Sequence, residues 1–318
     1  MPLRLQAAGK TDVGLQREQN EDSFYAQVMG ETASSGIFIV SDGMGGYHAG
    51  EVASQIAVET ISSELAPILD PSIPQTTVKL NKERKKSKSG KKASAAAIAE
   101  TSETSAASEA GEASDASASG ETPERDGAPE TRQLFETVAL EHYANKLSEA
   151  IKSGNTAIVD YGDTHKEARG LGATVTAAFI VDGQAFIANV GDSRTYLIRD
   201  GKIERVTRDH SLVERLVEMD QITPEEVYDH PSRNLIYRSL GAGHADVDVD
   251  IFIEKLQPGD KLLLCCDGLW EMVHDPQLLQ IITENEDIEQ ACAQLIATAN
   301  ENGGEDNITG VLVHCVEA

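Results

Sequence analysis

Leu3, Leu5 and Ala7 alternate with polar neighbours at the start of the chain, the two-residue period of a strand. Phe24 to Val28 predicts a second short strand. Gly36-Ile37-Phe38-Ile39-Val40 is an unbroken apolar run, which predicts a buried strand ending at Ser41-Asp42-Gly43. The period then lengthens. Across Gly50 to Leu65, Val52, Ile56, Ile61 and Leu65 fall roughly on one helical face.

Beyond about residue 70 the pattern stops. Asn81 to Lys92 is dense in Lys and Arg, and Ala93 to Glu130 is almost entirely Ala, Ser, Glu, Thr and Gly, without an aromatic residue. Such a segment cannot bury enough apolar area to offset the entropy of ordering it. A structureless loop of this length is uncommon inside a compact domain, so a disordered, low-complexity insertion is expected at about 71–130, interrupting one domain that spans 1–318.

The pattern resumes near Gln133, where Leu134, Val138, Leu140, Leu147, Ile151, Ile158 and Val159 predict a long helix reaching about Tyr161. Ala173 to Val181, Gln184 to Val190, Thr195 to Arg199 and Lys202 to Val206 read as strands. Tight turns at Asp182-Gly183, Gly191-Asp192 and Asp200-Gly201 join them into an antiparallel meander. Short helices are expected at Leu212 to Met219 and Pro224 to Tyr228, and strands at Val247 to Ile253, Lys261 to Cys266 and Ile308 to Val316. Asp287 to Asn300 is an amphipathic helix with Asp287 as N-cap and Gly303-Gly304 ending it. Antiparallel strands mixed with a few long helices predict an α+β layered domain.

Charge narrows the function. The 318 residues carry 53 acidic and 27 basic side chains, a net charge of −26. That balance argues against nucleic acid, whose backbone needs a basic footprint. No apolar run is long enough to span a bilayer, so no membrane partner is expected. Met1 to Lys10 lacks the apolar stretch of a secretory signal, so a cytoplasmic location is expected. Cys265, Cys266, Cys292 and Cys315 lie in apolar stretches without Cys-x-x-Cys spacing, which predicts reduced core thiols.

Three aspartate-bearing turns abut predicted strands: Val40-Ser41-Asp42-Gly43, Cys265-Cys266-Asp267-Gly268 and Glu305-Asp306-Asn307-Ile308. Any one Asp-Gly is an ordinary turn signal. Three at strand ends would converge if the strands are neighbours, and converging carboxylates need a cation to stay ionised together. Hard oxygen donors favour manganese or magnesium over zinc.

These segments belong to a longer ordered set. Thr11-Asp12-Val13-Gly14 with Arg17 to Ser23, Val40 to Ser54, Gly172-Ala173-Thr174, Asn189 to Arg194, Cys266 to Trp270 and Asp306 to Thr309 resemble, in order, the motifs of the type 2C, metal-dependent protein serine/threonine phosphatases, in their bacterial form. The resemblance covers all but roughly Asp70 to Glu130. It implies a four-layer α-β-β-α sandwich of two antiparallel sheets flanked by helices, with the metal site at one end of the cleft between them. It implies hydrolysis of phosphoserine and phosphothreonine by a metal-activated water. Carried over, Asp42 bridges two manganese or magnesium ions and Gly43 lends a carbonyl. Asp267 and Asp306 complete a shell, and Glu21 and Asp22 take the remaining acidic position. Asp192 with Asp267 matches a third metal site, and Arg17 grips the substrate phosphate. Phosphorylated proteins and a cognate Ser/Thr kinase are the implied partners of a monomer.

Two positions depart from the family pattern. Met44 stands where animal members have a histidine, and Tyr47 where bacterial members often do, which leaves His48 as the candidate proton donor against the alternative of an exposed loop histidine. Asp209-His210-Ser211 is expected to open a flap segment without direct chemistry, Arg194 to be a structural ion-pair partner and Trp270 to pack in the core. A non-catalytic module of the same fold would lack an acidic ligand, and none is missing. A phosphohydrolase for small metabolites would differ mainly in surface loops.

Overall fold

A computed structural model describes residues 3–30, 32–46, 49–70 and 129–318, with side chains of the last segment from residue 138. His48 and residues 71–128 of the expected insertion lie outside the described residues. The chain divides into two compact units, Met1–Val78 with Thr137–Ala318, and Lys79–Glu136. The second contributes only helical backbone from Pro129 onward to the described residues. The sheets and the site belong to the first.

The elements in chain order are β1 (Leu3–Asp12), β2 (Asp22–Met29), β3 (Ser35–Met44), α1 (Ala49–Leu69), α2 (Pro129–Thr164), β4 (Gly172–Ala173), β5 (Val175–Val181), β6 (Gln184–Val190), β7 (Arg194–Arg199), β8 (Lys202–Arg205), α3 (Leu212–Glu218), β9 (Leu240–Gly241), β10 (Asp250–Lys255), β11 (Lys261–Cys265), α4 (Asp267–Trp270), α5 (Asp275–Glu284), α6 (Ile288–Glu301) and β12 (Ile308–Glu317). One sheet has the order β1-β12-β11-β7-β8. The other runs β10-β6-β5-β3-β4-β9, with β2 paired to β3. All pairings are antiparallel.

The apolar run of β3 is explained by what covers it. Ile37 and Ile39 join Ala53, Ala57 and Ile61 of α1 and Leu147 and Ile151 of α2 in one core. Phe38 and Val40, pointing the other way as alternation requires, join Leu263, Val311 and Val313 of the opposite sheet in the second core. A strand buried on both faces reads as continuous hydrophobicity. On the far side, Leu278, Ile281, Ile282, Ala291, Leu295 and Ile296 of α5 and α6 belong to this second core. The layers are therefore helix, sheet, sheet, helix.

Four expectations shift. The single meander is broken at the Gly191-Asp192 turn, which does not pair β6 with β7 but carries the chain from one sheet to the other. The strand expected at Val247 to Ile253 is β10, which starts at Asp250, where pairing with Asn189 begins. Pro224 to Tyr228 contains a single 3-10 turn, Glu225–Val227. Helix α5 was not anticipated; Pro276 opens it and three buried apolar residues anchor it. No helix among the described residues is long and apolar enough to cross a membrane.

Candidate metal centre

The carboxyls gather where the two sheets meet at one end. Asp22 and Asp42 are direct partners across the β2–β3 pair. Asp42 does not lie in a turn as expected: β3 continues to Met44, pairing Gly43 with Ala173 and Met44 with Gly172. The ladder fixes its backbone. Asp267 opens α4 directly after β11, Asp306 lies just before β12, and β11 and β12 are neighbours. Asp192 occupies the tight turn from β6 in one sheet to β7 in the other.

Close backbone approaches draw these segments together. A Cβ on Gly268 would lie 2.1 Å from the carbonyl oxygen of Asn307, so only glycine lets the Asp267 and Asp306 segments touch. A Cβ on Gly43 would lie 2.0 Å from the Gly50 carbonyl oxygen and 2.5 Å from that of Glu21. Glycine there lets the first turn of α1 close onto β3. Glu21 joins the same contact: its carbonyl accepts from Gly43 N–H at 3.1 Å and from Ser54 Oγ at 2.6 Å. Thr174 ties Asp42 to the Asp192 turn. Its N–H donates to the Asp42 carbonyl at 2.8 Å, and its hydroxyl shares a hydrogen bond of 2.7 Å with Ser193.

Four carboxyls resist ionisation together. Burial first, then the charges of Asp22, Asp267 and Asp192, pushes Asp42 well above the ordinary range. Burial followed by Asp267 and Asp209 does the same to Asp192. Burial and then Asp306 raise Asp267. Burial pushes Asp22 up to about 7, outweighing hydrogen bonds from Thr309 and Cys266.

Asp22 Oδ1 and Asp267 Oδ1 are buried without a hydrogen-bond partner. Unpaired hard oxygens amid like charges fit a divalent cation. Among the described residues no group of three or more His, Cys, Asp or Glu side chains is posed to hold an ion as it stands. Asp306 is engaged by Arg17, whose Nη2 donates to its Oδ2 at 2.5 Å. Gripping an ion would require the carboxyls to turn.

The sequence-predicted residues thus fall into groups. Asp22, Asp42, Asp192 and Asp267 form the cluster, Asp22 and Asp192 buried and Asp42 and Asp267 partly buried; Asp306 and the half-exposed Arg17 sit at its rim. Glu21 stands beside Gly50 in the first turn of α1, and burial raises its carboxyl above the ordinary range. The cysteines are buried, and burial raises all four thiols, Cys292 to about 11 and Cys315 to about 12. They stay protonated near neutral pH and offer no thiolate.

Supporting residues carried no assigned role in the sequence reading. Asn307 spans the N-terminal loop: its Nδ2 donates to the carbonyls of Val13 at 2.9 Å and Gln19 at 2.8 Å, and its Oδ1 accepts from Glu21 N–H at 2.8 Å. It thereby sets the loop carrying Arg17 against Asp306. Thr309 donates to Asp22 Oδ2 at 2.6 Å, so Thr11 must donate to Thr309 across their 2.7 Å contact, and Thr11 accepts from Asn20 Nδ2 at 2.8 Å. This directed chain orients Asp22. An Asn and a Thr flanking a strand start were the only signal in the sequence.

A two-sheet sandwich that brings carboxyls from both sheets to one seam is the architecture of a metal-dependent phosphatase. The chain belongs to the family Protein phosphatase 2C, which matches residues 16–312. The serine/threonine phosphatase stp of Listeria monocytogenes is 31% identical over 309 residues, covering 97% of this chain and 95% of that protein. The serine/threonine protein phosphatase PstP of Mycobacterium tuberculosis is 30% identical over 315 residues, 99% of this chain and 46% of that protein. A crystal structure of the latter superposes with a TM-score of 0.68 at 29% identity, covering 99% of both chains. The catalytic domain of PstP in complex with 2 manganese ions gives 0.67 at 28% identity, over 99% of this chain and 100% of that one.

Proposed function

We propose that the chain is a metal-dependent protein serine/threonine phosphatase that hydrolyses phosphoserine and phosphothreonine. The observation that carries this reading is the cluster of four carboxyls, two buried and two partly buried, that raise one another's proton affinity while two of their oxygens lack partners. Divalent cations relieve such crowding. Support comes from relatives named as serine/threonine phosphatases and from the manganese complex of PstP.

In this reading Asp42, the Gly43 carbonyl, Asp267 and Asp306 would together hold two divalent ions. Glu21 and Asp22 fill the remaining acidic position, and Asp192 with Asp267 holds a third ion. Manganese or magnesium held there supplies the Lewis acidity that makes a water nucleophilic near neutral pH and offsets phosphoryl charge. Arg17, at the rim, exchanges its hold on Asp306 for the phosphate oxygens and aligns the ester for in-line displacement. Attack by water is direct, so no phosphoenzyme is needed and the protonated thiols have no nucleophilic role. His48 is the residue we assign to protonating the departing oxygen.

The substrates are phosphorylated proteins, and the enzyme opposes a bacterial Ser/Thr kinase in the cytoplasm, acting as a monomer. Residues 71–130 form a regulatory insertion within a single phosphatase domain. Manganese-dependent hydrolysis of a phosphothreonine peptide is the direct assay, with loss on chelation and in Asp42→Ala. Purified protein that is inert with both manganese and magnesium overturns the reading. Deletion of residues 81–130 should leave turnover of a small aryl phosphate unchanged; collapse of that activity would contradict a regulatory role.

A further inference from the structure

The turn that carries Asp192 is gripped by groups with no place in the chemistry above. The indole N–H of Trp270 donates to the Asp192 carbonyl oxygen at 3.0 Å. Trp270 ends α4, the helix that Asp267 begins, so one ring joins the segments bearing both carboxyls. On the ring face lies the guanidinium of Arg194, its central carbon 3.4 Å from the centroid. Arg194 is locked in turn: Nε and Nη2 donate to Asp209 Oδ2 at 3.0 and 2.7 Å, and Nη1 to the Tyr196 hydroxyl at 3.0 Å. The neighbour of Asp209 completes the grip. His210 Nδ1 accepts from Gly191 N–H at 3.0 Å, and the His210 N–H donates to the Gly191 carbonyl at 2.8 Å.

Asp209, Trp270 and Arg194 are 1%, 2% and 4% exposed. A buried ion pair adds little net stability, and apolar residues of similar volume often serve the fold as well or better. A planar cation stacked on the indole and fixed along its edge by Asp209 and Tyr196 does something an apolar filler cannot. It sets the tilt of the indole, and the indole N–H sets the Asp192 peptide. We propose that Arg194 and Trp270 are positioning residues that aim Asp192 at a divalent cation shared with Asp267. The proposal rests on the assignment of Asp192 as a ligand given above.

Trp270 is the only tryptophan in the chain and reports on its own contact. The test titrates the full-length protein with magnesium, following tryptophan emission, and with manganese by calorimetry. The ion assigned to only two carboxylates, Asp192 and Asp267, has the fewest anionic donors and should form the weaker class. Wild type should show an emission change that saturates with that class, and Asp192→Ala should abolish both the change and the class. Arg194→Lys keeps the charge but loses the planar fork. It should shift half-saturation of that class about tenfold, the effect of one ordinary hydrogen bond, while the tighter class moves less than about twofold. Trp270→Phe keeps a ring for Arg194 and removes only the N–H donor. By calorimetry it should weaken the same class by the same factor, with kcat lowered and the KM of a phosphopeptide unchanged. These two variants remove different halves of the device, so misfolding of one leaves the other to decide. If Asp192→Ala deletes the weaker class while Trp270→Phe and folded Arg194→Lys bind like wild type, the positioning role is wrong. If Asp192→Ala itself changes nothing, the ligand assignment fails and takes the proposal with it.

Discussion

Replacing Asp22 by asparagine removes one charge from the crowded cluster and leaves an oxygen for the Thr309 hydroxyl, which donates at 2.6 Å. The side chain is buried, so solvent does little to screen the change. In the unfolded chain the carboxyl releases its proton near 3.8; in the fold it keeps it to about 7. Between those values the folded chain binds more protons than the unfolded one, so stability falls as pH rises. At about 1.4 kcal/mol per tenfold in proton affinity, ionising Asp22 costs the fold about 4 kcal/mol, roughly 2 to 3 kcal/mol of it between about pH 5 and pH 8. Asparagine has no such cost. In chelator near pH 8, Asp22→Asn should melt about 10 °C above wild type, and the gap should shrink toward pH 5. Added manganese should then raise the wild-type midpoint more than the variant's, because the cation offsets the charge that the variant lacks. Scanning calorimetry across this range, with and without metal, measures both effects. Parallel midpoint-against-pH curves for the two proteins, or a lower midpoint for the variant at pH 8, would refute the electrostatic account of this site.

Other outcomes follow from the packing. Gly43→Ala drives a methyl into the Gly50 and Glu21 carbonyls; urea unfolding should show a loss of about 3 kcal/mol, with phosphatase activity falling alongside. Asn307→Ala breaks three side-chain hydrogen bonds to the N-terminal loop. A stability loss of about 3 kcal/mol is expected, with a raised KM for phosphopeptide as the Arg17 loop loosens; unchanged kinetics would remove Asn307 from the site's support. Iodoacetamide should leave the native protein fully active, because all four thiols are buried and protonated. Time-dependent inactivation that substrate prevents would restore a cysteine to the mechanism.

The strands were readable because their burial is two-sided: Ile37 to Val40 is apolar throughout since helices cover one face and the opposite sheet covers the other. The acidic set was readable from its ordered motifs. What could not be read is the setting of each carboxyl. That Asp42 lies in a ladder depends on β4, two residues long and too short to show a pattern. The links from Thr309 through Thr11 to Asn20, and from Arg194 onto Trp270, join residues far apart in sequence, and no local period records them. Helix α5 is a different case. Leu278, Ile281 and Ile282 after Pro276 are a legible helical repeat, marking an element that sequence patterning alone can supply.

The span of the Asn307 contacts bears on when the enzyme becomes active during its own synthesis. Asn307 holds Val13, Gln19 and Glu21, and Thr309 holds Thr11 and Asp22, so the front of the site is fastened by the last strand in chain order. β1 likewise waits for β12 along its whole length. A nascent chain that has emerged through α6 has the four clustered carboxyls of Asp22, Asp42, Asp192 and Asp267 but neither Asp306 nor the clasp that seats Arg17. Contacts of such sequence separation form late and slowly. Assembly of the site therefore waits for β12, and a chain cut short after α6 carries most of the fold's residues but lacks Asp306 and the Asn307 and Thr309 contacts that fasten the N-terminal loop.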